Sequence, residues 1–136
     1  DFEQAVVDLV RQADYLEQCV ITSQSYAVLE TIKSYAPEVK TVYVMSVAFG
    51  NLLKLDAADA FSVKSINITS EMVSQLHNAG KEIYAWTVNT GNNLDKMIRL
   101  QVDNIITDDI VLAKERIYAN KTSNIIQEYL ALLSQF

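Results

Sequence analysis

Apolar positions along the chain follow two rhythms, and the alternation between them predicts the elements. From Phe2 to Gln18, Phe2, Val6, Leu9, Val10, Ala13 and Leu16 recur at helical spacing with acids and amides between them. Cys19-Val20-Ile21-Thr22 is a short, β-branched run that reads as a buried strand, ending in Ser23-Gln24-Ser25. Tyr26 to Tyr35 returns to helical spacing, and Pro37 stops it. Thr41 to Val47 is the clearest strand, Phe49-Gly50 opens a loop, and Phe61 to Ile66 is a more polar strand. A helix begins at Thr69 or Ser70, carries Met72, Val73, Leu76 and Ala79, and ends where Gly80 can take a left-handed conformation. Ile83 to Val88 is a strand, Asn89 to Asn92 a turn, Leu94 to Leu100 a short helix and Asn104 to Thr107 another buried strand. Asp108-Asp109 opens a helix through Tyr118, Asn120 to Ser123 is a polar break, and a separate amphipathic segment carries Ile125, Ile126, Tyr129, Leu130, Leu133 and Phe136.

Strands alternating with helices imply parallel βαβ units joined by right-handed crossovers. Two α/β architectures fit: an open doubly wound sheet, or part of a (β/α)8 barrel. A whole barrel needs about 250 residues, and this chain has 136. Periodicity leaves the two open.

Composition narrows the chemistry. With 11 basic and 17 acidic side chains the net charge is −6, which argues against nucleic acid as a partner, since phosphate backbones need clustered Lys and Arg. The single cysteine, Cys19, excludes an internal disulfide, and the single histidine, His77, excludes a histidine pair within the chain. Three glycines cannot be arranged as a Rossmann or P-loop phosphate cradle. No run approaches the apolar length of a membrane span.

Parallel strands present functional groups at their carboxyl ends. Those ends are Ser23-Gln24, Met45-Ser46, Ser65-Ile66-Asn67, Trp86-Thr87-Val88-Asn89 and Thr107-Asp108, with no histidine, cysteine or lysine at a tip. By alternation Tyr84, Trp86 and Val88 share one face of their strand. Trp86 is then either a flat wall for a ligand or an indole buried between sheet and helix. Asp108 and Asp109 read as helix caps or as part of a divalent-cation site. His77 reads as a helix-surface residue.

One pair of segments goes further. Lys81-Glu82-Ile83-Tyr84-Ala85-Trp86-Thr87-Val88-Asn89 and Val102-Asp103-Asn104-Ile105-Ile106-Thr107-Asp108 resemble the last two strands of the glycerophosphodiester phosphodiesterase family. Ser23-Gln24-Ser25-Tyr26, with Leu29 and Pro37 beyond, is similar to that family's fourth strand, and is nearest to the bacterial branch that adds an N-terminal membrane domain. Asn104 stands where the family usually has glycine, and Ile110 where proline is frequent.

The resemblance implies a partial (β/α)8 barrel, strands four to eight with their helices, over residues 1–118, followed by an amphipathic C-terminal helix over 119–136. It implies hydrolysis of glycerophosphodiesters to an alcohol and sn-glycerol 3-phosphate by the parent protein. The catalytic histidines and the acidic ligands of a Mg²⁺ or Ca²⁺ ion belong, by the same resemblance, to the missing strands one to three, so the fragment alone is expected to be inactive and metal-free. Carried over by position, Trp86 matches the pocket tryptophan on the glycerol side, Ser23 and Gln24 the top of strand four, and Met45 an aliphatic residue near the pocket. The expected partners are the glycerophosphodiester and the missing N-terminal half of the barrel, with self-association through the open edges. The parent is expected at a membrane through its missing N-terminal region, the visible chain itself being soluble. A catalytically inactive α/β binding or regulatory module is the alternative.

Overall fold

The computed structural model describes residues 2–46 and 51–134. The element order is α1 (Phe2–Gln12), β1 (Ile21–Ser23), α2 (Tyr26–Tyr35), β2 (Thr41–Met45), β3 (Ala60–Lys64), α3 (Ser70–Asn78), β4 (Glu82–Trp86), α4 (Gly91–Arg99), β5 (Asn104–Ile105) and α5 (Ile110–Leu133). Short 3-10 turns at Leu16–Gln18, Leu52–Lys54 and Ser65–Asn67 join them.

All neighbouring strands are parallel, and the five lie in the unreversed order β1-β2-β3-β4-β5. The main core forms on one face of this sheet. Leu29 of α2, Val73 and Leu76 of α3, Leu94 and Met97 of α4 and Ala113 of α5 pack there against Phe61, Val63, Ile83 and Ala85. A doubly wound sheet reverses its strand order and carries helices on both faces. Here the winding is one-sided, as in a barrel wall. The small cluster on the other face, Val42, Ala60 and Tyr84, holds no helix residue.

Helix ends explain the first departure from the periodic reading. The helix expected over 2–18 stops at Gln12 because Asp14 takes φ +56. Asp14 N–H then donates to Arg11 O at 3.0 Å and Tyr15 N–H to Val10 O at 3.1 Å, the paired bonds of a Schellman cap. Gln101 (φ +59) closes α4 and Gly80 (φ +70) closes α3 in the same way. Only Gly80, which has no Cβ, is of the residue type that announces such a cap.

The second departure is α5, which runs unbroken through the polar segment 120–123. No glycine or proline interrupts it. Thr122 Oγ1 donates to Tyr118 O at 3.0 Å and Asn124 Nδ2 to Asn120 Oδ1 at 3.2 Å, so the polar side chains bond along the helix. The strand read over 61–66 is shifted to Ala60–Lys64, with Ser65 and Ile66 in a 3-10 turn. Val47, Phe49 and Gly50 lie outside the described residues. Among the described residues no helix is long and apolar enough to cross a membrane.

Candidate functional site

Side-chain alternation divides the sheet into a helix-covered face and a helix-free one. Register places Lys64 beside Trp86, and below them Val44, Ser62, Tyr84 and Asn104 in one lateral row, all on the helix-free face. Val42, Ala60 and Ser62 make a nearly inaccessible floor of small side chains. Trp86 is half-buried on this face rather than packed beneath a helix. Its indole Nε1–H is shielded from solvent and meets no acceptor among the described residues.

The four residues carried over from sequence do not share one surface. Met45 packs against the helix-side core, in register with Val63. Ser23 pairs in register with Tyr43 of that same side, and its Oγ accepts the Ser25 N–H at 3.0 Å, closing the turn into α2. Gln24 is exposed at the carboxyl end of β1. Trp86 stands on the opposite face. The expectation that Met45 approaches the pocket therefore meets a physical obstacle: alternation from the buried Val63 level fixes it toward the helices.

One functional candidate is hidden from the sequence. With β3 ending at Lys64, a lysine does occupy a strand tip. Periodicity conceals it by extending the polar strand two residues too far, which moves the tip to Ser65-Ile66. The available signal is the sharp apolar-to-charged change at Val63-Lys64.

Amide and hydroxyl side chains tie the carboxyl rim together. Asn67 Nδ2 donates to Ser46 O at 2.7 Å, linking the ends of β2 and β3, and Asn93 Nδ2 donates to Ser65 Oγ at 3.0 Å. Asn89 bridges β4 to β5: Nδ2 donates to Asp108 Oδ2 at 2.6 Å, while Oδ1 accepts from Asp108 N–H at 2.9 Å and Thr107 Oγ1 at 3.1 Å. Asp109 Oδ1 caps α5 by accepting Leu112 N–H at 2.9 Å. The two acids are thus engaged as rim and cap. Among the described residues no three His, Cys, Asp or Glu side chains converge on a cation position, so these side chains do not fit the divalent metal implied by the resemblance.

The amino ends of the strands are built from charge. Asp59, just before β3, accepts Thr41 N–H at 2.8 Å and Thr41 Oγ1 at 3.0 Å, and Lys33 of α2 sits 2.7 Å from the same oxygen. Burial pushes the Asp59 carboxyl upward, but Lys33 and the Thr41 donors outweigh it and hold it below the ordinary carboxylate value. Asp103, just before β5, repeats the device: it accepts Ile83 N–H at 2.8 Å and meets His77 Nε2 of α3 at 2.9 Å. His77 is therefore a structural partner at the floor, on the helix surface as its spacing suggested. Lys40 Nζ meets Glu82 Oε1 at 2.6 Å, and Tyr84 OH donates to Glu82 Oε2 at 2.9 Å. The Glu82 hydrogen bond raises Lys40 above its ordinary value, and burial followed by the same glutamate raises Tyr84.

Similarity to known proteins agrees with this geometry. The glycerophosphoryl diester phosphodiesterase family matches residues 4–112. A glycerophosphodiester phosphodiesterase of Arabidopsis thaliana is 27% identical over 111 residues, covering 78% of this chain and 34% of its own. The crystal structure of a glycerophosphodiester phosphodiesterase from Parabacteroides distasonis superposes with a TM-score of 0.78 at 16% identity, over 88% of this chain and 51% of that one. An Oleispira antarctica phosphodiesterase, solved with the product sn-glycerol-3-phosphate, superposes with a TM-score of 0.65 at 20% identity, over 72% of this chain and 41% of its own. The chain spans between a third and about half the length of these proteins. One-sided winding, the WTVN and IITD strand ends and the family match over most of the sequence converge: the chain belongs to the glycerophosphoryl diester phosphodiesterase family.

Proposed function

We propose that these residues form strands four to eight of a glycerophosphodiester phosphodiesterase barrel, and that the complete barrel hydrolyses glycerophosphodiesters to an alcohol and sn-glycerol 3-phosphate. The family match over residues 4–112, set on a one-sided sheet whose edge strands are β1 and β5, carries this reading. Two open edges of unpaired backbone groups require partners. Strands from outside these residues supply them, and bring the catalytic histidines and the acidic ligands of a divalent metal. Trp86 walls the glycerol side of the substrate, with Gln24 exposed at the same carboxyl edge; Ser23 and Met45 shape the strand ends from the helix side. The Ser23-to-Tyr26 segment, with Leu29 and Pro37, favours the bacterial branch that carries a membrane domain, and so a parent held at a membrane.

Isolated, the chain has no hydrolase activity in this reading, and its open edges drive self-association. The test is a graft. Residues 4–112 replace the matching portion of the Parabacteroides protein. Metal-dependent release of sn-glycerol 3-phosphate by the graft supports the reading. A folded but inactive graft beside an active parent favours an inactive binding or regulatory module instead. Hydrolysis by the isolated chain would show that its own residues carry the chemistry.

A further inference from the structure

We infer that the C-terminal half of α5 is a self-association helix, pairing antiparallel with the same segment of a second copy of this chain. This contact is separate from the open edges of β1 and β5 and does not depend on the activity of the barrel.

Helix α5 runs 24 residues, about 36 Å, whereas α1 to α4 span 9 to 11 residues. The body of the protein holds its first part. Leu112 and Ala113 pack on the main core, Arg116 pairs with Asp95 at 3.1 Å, and Ile117 lines one cavity with Val102 and Ile105. Beyond Asn120 every described side chain of the helix is exposed. At about 100° per residue, Ala113, Arg116 and Ile117 fall on one side of the helix, and Val111, Tyr118, Ile125 and Ile126 fall roughly opposite. Those last four, and Leu130, are each more than half exposed. The helix therefore carries a second apolar stripe, turned away from its own body. In the sequence, Ala119, Thr122, Ile126, Tyr129 and Leu133 keep the alternating three-four spacing of a two-helix seam.

A helical segment of this length is marginal in water without packing, so the stripe calls for a cover. Charge selects a second copy as that cover. Between Ala119 and Phe136 the charged side chains are Lys121 and Glu128, so this segment is neutral while the rest of the chain carries the whole net charge of −6. Two copies repel least where they meet through it. A lipid surface calls instead for a basic polar face, and Asn120, Ser123, Asn124 and Gln127 supply none. Lys121 and Glu128 lie on the same flank of the stripe. Antiparallel pairing about a dyad between Asn124 and Ile125 sets Lys121 level with Glu128 of the second copy, and does so twice; parallel pairing sets like against like. Overlap along about 20 Å buries on the order of 1,000 Å² in total, at the lower end for a specific interface. The dimer is accordingly weak and sensitive to dilution.

Sedimentation equilibrium of the full chain tests this. A monomer–dimer equilibrium is expected, and Ile126→Gln weakens it by about tenfold. Lys121→Glu, which sets acid against acid, weakens it by about fivefold. Adding Glu128→Lys to Lys121→Glu restores the original constant. Both positions lie beyond the body, so the urea midpoint of every variant should match the original. Constants unmoved by Ile126→Gln and Lys121→Glu assign association to the strand edges and overturn the proposal. A double variant no tighter than Lys121→Glu alone overturns the antiparallel pairing. A chain that stays monomeric up to about 500 µM overturns it as well; Ile126-dependent sedimentation of that monomer with phosphatidylcholine vesicles then gives the stripe to lipid.

Discussion

The two ends of the sheet are built from different materials. At the amino ends, acids placed immediately before a strand clamp the strand before it, and a basic side chain from a helix meets each. Asp59 joins Thr41 to Lys33, and Asp103 joins Ile83 to His77, with the backbone closing each clamp from the other side through Asp59 N–H to Thr41 O (3.0 Å) and Asp103 N–H to Ile83 O (2.9 Å). At the carboxyl ends the ties run through amides and hydroxyls, with the Asp108 carboxylate accepting from Asn89, and the cation Lys64 on the helix-free face is unpaired among the described residues. Among the described residues the buried side-chain polar atom left without a partner, Trp86 Nε1, lies toward the rim and not at the floor. In a (β/α)8 fold the amino end serves stability and the carboxyl end serves chemistry. On the barrel reading proposed for this chain, a five-stranded segment carries several clamps of the first but only begins the second.

The sharpest way to break the comparison is at the floor. Thr41 is fully buried; its N–H depends on Asp59, while its hydroxyl donates to Ala57 O at 2.7 Å and also lies 3.0 Å from the Asp59 carboxylate. Asp59→Ala strands the buried Thr41 N–H and leaves Lys33 without its carboxylate, at a cost of about 3 kcal/mol. Asp103→Ala, by the same logic with a more exposed base, costs about 2 kcal/mol. Urea denaturation midpoints check both. The pH dependence has a definite sign. Because Asp59 sits below its ordinary value in the folded chain, its contribution is fully present above the unfolded carboxylate value and is lost as pH falls through the lower folded one. Stability should therefore drop in the acid range, and Asp59→Ala should flatten that drop. A slope identical in both proteins would locate the acid sensitivity elsewhere.

The rim should yield less. Asn89 makes three bonds, yet all are exposed and water can replace them. Asn89→Ala is expected to cost about 1 kcal/mol, measured by the same denaturation. A loss equal to that of Asp59→Ala would erase the distinction between the two ends.

Sequence periodicity locates the elements well where local chemistry bounds them. The helix Tyr26–Tyr35 has Ser25 before it and Pro37 beyond, and the Thr69 side chain caps α3 by accepting Met72 N–H at 3.2 Å. It fails where the boundary comes from backbone conformation without a matching residue type. Asp14 and Gln101 take left-handed positions that only the fold imposes, and Asn120 to Ser123 look like a break although nothing in them forbids a helix. The site is legible only in part for a related reason. Trp86 stands out as the one tryptophan on a strand, but a face is a property of register. Register moves Met45 to the helices and puts Lys64 beside the indole. The clamps at Asp59 and Asp103 leave no periodic trace, since each joins residues 18 or 20 positions apart.

The smallest effect is expected where the rim is least finished. A buried N–H without an acceptor costs about 1 to 3 kcal/mol, and among the described residues Trp86 Nε1 is such a group. Trp86→Phe removes that donor and also loses part of the ring's apolar contact, on the order of 1 kcal/mol at the usual area coefficient. The two nearly cancel, so the isolated chain should show no loss of stability, or a gain below about 1 kcal/mol. In the grafted barrel the balance changes. Once strands from the other half offer an acceptor, the same substitution removes a satisfied hydrogen bond and becomes unfavourable. A loss above about 2 kcal/mol in the isolated chain would mean that the indole already has its partner there, and that the carboxyl end is as complete as the floor.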